Sequence, residues 1–261
     1  MHQNPERGNR EFKTAALVAE RLKSLGFEVT EGVAHTGVVA ILHGRKPGRV
    51  VAVRADMDAL PIQEKTDLSF KSQVEGVMHA CGHDIHTTVG LGTAMVLAKL
   101  KDRFDGTVKF LFQPAEEGSP PGESGGAPLM VKEGVLDNPA PEVIFGLHVG
   151  SGLPVGMLAY TPEGALASND MFEIIIIGKG VHASSPWGGV DPIVTAAQVV
   201  TALQNIRSRM TDTRIPFFIS ISMIHGGTAF NIIPEEVKMT GTIRAHDQAI
   251  RKTVKTMMRQ V

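Results

Sequence analysis

The chain has 261 residues, 43% of them hydrophobic and 20% charged, with a formal net charge of -1. That length suits one large or two modest domains with a sizeable core. The near-neutral charge excludes a basic nucleic-acid-binding surface as the main business of the chain. No apolar run nears the roughly 20 residues of a membrane span, so neither a nucleic acid nor a membrane is expected as a partner. The single cysteine, Cys81, excludes an internal disulfide framework. With a polar opening stretch, MHQNPERGNREF, the expected location is the cytoplasm. Ten histidines against one Trp and one Tyr are a first hint of metal chemistry.

In chain order, residues 11–25 read as an amphipathic helix, with Leu17, Val18, Leu22 and Leu25 at helical spacing and Gly26 as a stop. Val38–Leu42 and Val50–Val53 read as strands split by the turn-like GRKPGR. Asp84 is expected to cap a helix running to about Leu100. Thr107–Phe112 is a further strand, followed by the loop GSPPGESGGA, a short helix near 128–133 and a strand over 143–147. This alternation predicts a largely parallel α/β sheet covered by helices. After about Gly164 the order changes to strand 171–177, helix 192–209, strands 217–224 and 236–244, and a helix from 248. That β-α-β-β-α order is a ferredoxin-like pattern without its last strand.

Four short segments carry chemistry. HACGHDIH places Cys81 two residues before His83, and a thiolate with an imidazole suits a transition metal. Asp84 and His86 then stand as supporting partners of the ligands or as a helix cap. A small buried Cys in a turn, with His83 as a surface cap, fits the same pair. QPAEEG follows the strand ending at Phe112. Adjacent carboxylates at a strand end point in different directions, so one of Glu116 and Glu117 can bind metal while the other acts as a general base. A solvated acidic turn uses the pair equally well. GLHVG sets His148 at the end of an apolar strand, where α/β sheets build sites. RADMDALP sets Asp56 and Asp58 at a similar edge, able to ligate a metal, to orient a ligating His, or to cap a turn before Pro61.

Taken in order, RADMDALP, MHACGHDIH, FQPAEEG, FGLHV, GKGVHASSPWGGVDPI and GGTAFNIIPEEV resemble the aminoacylase/carboxypeptidase family of co-catalytic metallopeptidases, in its amidohydrolase branch of N-acyl-amino-acid amidohydrolases, hippurate hydrolases and auxin-conjugate hydrolases. The resemblance covers nearly the whole chain. It implies a zinc-peptidase-like three-layer α/β catalytic domain, here residues 1–163, with an inserted ferredoxin-like α+β lid and dimerisation domain, here residues 164–261. It further implies two divalent metal ions (Mn, Zn, Co or Ni) held by Cys81, His83, Glu117 and His148, with Asp58 behind the ligands. Glu116 is then the general base, and the reaction is attack of metal-bound water on the amide of an N-acyl amino acid. The same family implies that His182 stabilises the oxyanion, that Asn231 and Arg244 contact substrate, and that the lid pairs two copies into a homodimer.

Two other readings stand beside this one. The first is a carboxypeptidase or dipeptidase of the same fold acting on short peptides. The second is an inactive metal-binding or oligomerisation fragment. Full-length relatives carry a preceding helical segment, return to the catalytic domain after the lid and add a last His ligand. No residue here takes that role by motif, with His225 and His246 lying outside the matching segments. The expectation is therefore a chain shortened at both ends, with weakened activity of its own.

Overall fold

The computed structural model describes residues 1–162 and 165–261. The domain boundary expected at 163/164 lies outside the described residues. The chain forms two compact units, Met1–Val155 and Gly156–Val261. Among the described residues no helix is long and apolar enough to cross a membrane.

The first unit opens with α1 (Phe12–Ser24), then β1 (Glu28–Val33), β2 (Gly37–His43), β3 (Val50–Asp56), α2 (His83–Leu100), β4 (Thr107–Gln113), α3 (Gly126–Lys132) and β5 (Val143–Gly146). The start of α1 is fixed from outside the helix. The Glu6 carboxylate accepts the backbone N–H groups of Lys13 at 3.0 Å and Thr14 at 2.8 Å, donors that the first turn cannot satisfy itself. Of the apolar residues expected to face inward, Val18 and Leu22 are fully buried while Leu17 is half exposed.

The five strands lie in the order β1-β2-β4-β3-β5. The expected largely parallel sheet is in fact mixed: β1/β2 and β2/β4 are antiparallel, β4/β3 and β3/β5 parallel. The reason is local. Only residues 34–36 join β1 to β2, and so short a link returns the chain antiparallel. Period-two alternation then builds two cores. Val38, Ala40, Leu42, Phe110 and Phe112 pack under α1 and α2. Val39, Ala52 and Leu111 point to the other face, against Met130 of α3. Because β3, β4 and β5 run parallel, their carboxyl ends share one edge of the sheet, the position at which open α/β sheets bind ligands.

The second unit contains β6 (Asp170–Ile177), β7 (Val181–His182), α4 (Pro192–Arg209), β8 (Phe217–Gly226), β9 (Ile232–Ile233), β10 (Glu236–Ala245) and α5 (Gln248–Met257). Its main sheet is antiparallel in the order β6-β10-β8. Leu203 and Ile206 of α4 and Ile250 and Val254 of α5 pack on Phe217, Ile219, Ile243 and Ala245. Asp191 caps α4, its Oδ1 accepting the Ile193 N–H at 2.8 Å. On α4, Ala196, Leu203 and Ile206 are buried, while Ile193 and Ala197 are exposed.

Candidate metal centre

Each strand of the parallel edge delivers polar residues just past its end. β3 delivers Asp56 and Asp58, β4 delivers Glu116 and Glu117, and β5 delivers His148. Cys81 and His83 arrive at the start of α2. Asp84, expected as the cap of that helix, sits within its first turn; the N-cap is Gly82, left-handed at φ 88°. A carboxylate there would have to reach back past Gly82, and Asp84 instead bonds the His2 ring at 2.8 Å.

His83 is the hub. It is fully buried, and its Nδ1 donates to Asp58 Oδ1 at 3.0 Å. Its Nε2 is buried with no hydrogen-bond partner. Around that nitrogen lie Asp56 Oδ2 at 3.8 Å, Glu116 Oε2 at 3.7 Å and Glu117 Oε1 at 3.8 Å, each too far for a hydrogen bond. A buried polar atom left without a partner is costly, and a lone pair surrounded by carboxylates suits a cation. One ligand atom each from Cys81, His83 and His148 lie within 4.8 Å of one another, as do those of His83, Glu116 and Glu117. The two trios meet at His83, so thiolate, imidazole and carboxylate donors converge on one small region.

Asp56, His83 and His86 also approach within 4.8 Å, but that trio is closed. Both ring nitrogens of His86 are engaged, Nδ1 with Asp56 Oδ1 at 2.6 Å and Nε2 with the Val149 N–H at 2.9 Å.

Asp58 ties the two open trios together. Its second oxygen accepts the Glu117 N–H at 2.9 Å, so one carboxylate holds His83 and the backbone of Glu117. His148 is exposed; its Nδ1 donates to the Val149 carbonyl at 2.7 Å and its Nε2 lies 3.4 Å from Cys81 Sγ. With four carboxylates and Arg54 as their neighbouring cation, the local charge is negative. Burial together with Glu117 raises the Glu116 carboxyl above its ordinary value, against the pull of His83 and Arg54. Burial, a hydrogen bond with Glu117 and the charges of Glu116 and Asp56 push the Cys81 thiol up to about 12. Burial opposes the imidazolium of His83, but Asp58, Asp56 and Glu116 outweigh it and raise that group. Beside the effect of burial, the neighbouring carboxylates push all three groups towards their protonated forms, an excess of negative charge that a divalent cation would offset.

One support was not legible from motifs. Ala115, next to Glu116, holds a positive φ of 47°, uncommon for a residue with a side chain. Its N–H is held at 2.8 Å by the fully buried Glu11, whose other oxygen accepts the Thr36 hydroxyl at 2.5 Å. The Glu11–Ala115 contact leaves no sequence signal, since the two are 104 residues apart. The Asp56–His86 pair joins two residues that the motifs marked singly but not as partners.

In the second unit, β7 pairs with β9, setting His182 opposite Ile232. The Asn231 carbonyl accepts the Ala183 N–H at 2.9 Å, so His182 and Asn231 are neighbours. His182 is exposed and bonds the Ser184 hydroxyl at 2.8 Å. Arg244 lies elsewhere, exposed near the end of β10 and paired with Phe218. It lies eight positions along the strand from Glu236, about 27 Å of extended chain.

A family model described as peptidase family M20/M25/M40 matches residues 52–254. Thermostable carboxypeptidase 1 of Saccharolobus solfataricus is 47% identical over 262 residues, covering 100% of this chain and 65% of its own. The N-acyl-L-amino acid amidohydrolase of Geobacillus stearothermophilus is 45% identical over 261 residues, covering 100% of this chain and 69% of its own. The crystal structure of a Bacillus subtilis protein, a dinuclear metal binding peptidase from the M20 family, superposes with a TM-score of 0.78 at 39% identity, covering 99% of this chain and 65% of that one. The chain thus spans about two thirds of the length of the proteins it matches.

Proposed function

The chain belongs to peptidase family M20/M25/M40, and from that premise we propose that it is the greater part of a metal-dependent amidohydrolase that cleaves N-acyl amino acids. The observation that carries this reading is the orphaned, buried His83 Nε2 where two ligand trios overlap, with Glu116 beside it on the accessible rim. In this reading Cys81, His83, Glu117 and His148 hold two divalent ions (Mn, Zn, Co or Ni). Such ions supply a Lewis acid for the amide carbonyl and lower the pKa of a coordinated water.

The chain's own residues do the rest. Glu116 accepts a proton at a carboxylate oxygen as water attacks the carbonyl carbon. It returns that proton to the amide nitrogen as the C–N bond breaks, releasing a carboxylic acid and an amine. Burial raises its pKa, which suits a group that must both take and give a proton near neutral pH. Asp58 fixes the His83 ring so that Nε2 faces the centre. Asp58 also anchors the Glu117 backbone, keeping the base and its neighbouring ligand in different directions.

For residues 164–261, which make up most of the second unit, the proposal is a lid and dimerisation domain inserted in the catalytic one. His182 would donate to the developing oxyanion, and Asn231 and Arg244 would contact substrate. The adjacency of His182 and Asn231 across β7/β9 supports grouping those two; Arg244 rests on the family resemblance alone. A free substrate carboxylate suits an arginine through two parallel hydrogen bonds.

The carboxypeptidase named among the relatives favours a second reading, hydrolysis of short peptides, which breaks the same bond next to the same carboxylate. Metal-loaded protein assayed on N-acetyl, N-benzoyl and indoleacetyl amino acids against dipeptides separates the two. Preference for the acylated amino acids supports the amidohydrolase. Faster cleavage of dipeptides supports the peptidase. Absence of bound metal and of any hydrolysis overturns both.

A further inference from the structure

The buried Asp56–His86 pair has no part in the chemistry above, yet it lies against the candidate centre and its hydrogen bonds can be assigned without ambiguity. The Val149 backbone N–H can only donate, so His86 Nε2, 2.9 Å away, must offer a lone pair. A neutral imidazole then carries its proton on Nδ1, which donates to Asp56 Oδ1 at 2.6 Å. Asp56 is itself fixed, since its other oxygen bonds Arg54. Asp56 and His86 are both almost completely buried, so water does not compete for this arrangement.

The far end of the chain of bonds is His148. Val149 donates its N–H to His86 and accepts the His148 Nδ1–H on its carbonyl at 2.7 Å. Because Nδ1 of His148 carries the proton, Nε2 is the nitrogen presented to Cys81 Sγ at 3.4 Å. The His86 and His148 rings also meet edge to face, with centroids 4.6 Å apart. His148 is exposed and lies past the last strand of the sheet, so nothing in its own strand fixes its rotamer. Without the bond from His86, residues 147–150 would be held by much less.

We propose that Asp56 and His86 are positioning residues that set the direction and tautomer of His148 through the backbone of Val149. The consequence for metal binding rests on the reading of His148 as a ligand, but the positioning itself can be observed without metal. Ligating histidines are commonly aimed by a partner on the far ring nitrogen, and losing such a partner costs about 10–100-fold in metal affinity. Here the support would act one step further out, through a peptide group.

The test uses the whole 261-residue chain, labelled with 15N and stripped of metal. Long-range 1H–15N spectra distinguish the two neutral imidazole tautomers. In the wild type, His86 and His148 are both expected as the Nδ1–H form. In His86→Ala, His148 should return towards the Nε2–H form that a free imidazole prefers, and the Kd for Co2+ should rise at least tenfold. His86→Gln keeps an amide oxygen able to accept the Val149 N–H, and should restore the His148 signature and most of the affinity. Asp56→Asn covers the case in which His86→Ala does not fold. An amide N–H facing Nδ1 turns the His86 proton onto Nε2, where it opposes the Val149 N–H, so the His148 signature should again be lost. A folded His86→Ala or Asp56→Asn protein with an unchanged His148 tautomer and unchanged Co2+ affinity overturns the proposal. A wild type with both tautomers as expected but no Co2+ binding supports the positioning and sinks the metal reading instead.

Discussion

Asp58 Oδ1 lies 3.0 Å from His83 Nδ1, and this one bond decides which ring nitrogen is left for a ligand. Its other oxygen takes the Glu117 N–H, so removing the carboxylate releases a ring and a backbone segment at once. Asp58→Ala is expected to weaken binding of Co2+ or Mn2+ by roughly 10–100-fold, measured by equilibrium dialysis. Unchanged affinity would mean that packing alone orients His83.

Glu116 and Glu117 occupy neighbouring positions with different duties. Glu116→Gln should keep its metal and lose turnover by about 10²–10⁴-fold, the usual worth of a general base, in an enzyme extended to the length of its relatives. Glu117→Ala should lose metal. Elemental analysis of both variants, run with the activity assay, checks the assignment; equal metal loss in the two would show the roles to be wrong.

Gly82 stands where Cys81 hands over to α2. It has a φ of +88°, and a Cβ placed on it would come within 2.4 Å of Val149 Cγ2. Gly82→Ala therefore combines a left-handed backbone with a collision against the residue that supports His148. It should lower stability by about 1–3 kcal/mol, read as a lower urea midpoint. An unchanged midpoint would mean that Val149 moves aside at little cost, and the bond from Val149 to His86 would then be weaker than drawn.

Asp170, on β6, bonds Arg251 at 2.6 Å and Lys255 at 2.7 Å. Arg251 foremost, with Lys255, holds its carboxyl at about 2, below the ordinary 3.8. A carboxyl depressed in the folded state stabilises fully above its unfolded pKa and stops doing so as pH falls through the folded value. The contribution, about 1 kcal/mol once the exposure of both cations is allowed for, should fade between about pH 4 and pH 2. Urea titrations of the wild type and Asp170→Asn should converge across that window; a constant gap would contradict the assignment.

Much of the first unit was legible because its buried strands carry apolar runs, as in Val38–Leu42 and Phe110–Phe112, and its site residues sit in short motifs at strand ends. β1 (Glu28–Val33) was not, because it is largely exposed and its sequence EVTEGV lacks an apolar face. The direction of β2 follows from its link to β1, so missing one strand also hid the mixed character of the sheet. In the site, the residue types that chemistry demands were readable, among them Cys81, His83, Glu116, Glu117 and His148. Of the residues that hold them, Asp58 was readable and Glu11 was not. Glu11 looked like the first residue of a helix, Asp56 like a ligand or the partner of a ligating His, and His86 like a supporting or capping group. Only the folded backbone shows that Glu11 grips Ala115, and that both nitrogens of His86 are already engaged.

The central claim is that Cys81, His83, Glu117 and His148 form one metal-binding centre, and cobalt tests it most directly. A thiolate bound to Co2+ absorbs in the near ultraviolet, so titrating the wild-type chain with Co2+ should produce that band together with the visible bands of a low-coordinate site. In Cys81→Ser the ultraviolet band should vanish while the His83 and Glu117 side chains still bind cobalt more weakly. Cobalt bound by the wild type with no thiolate band, or a band that survives in Cys81→Ser, would contradict the account.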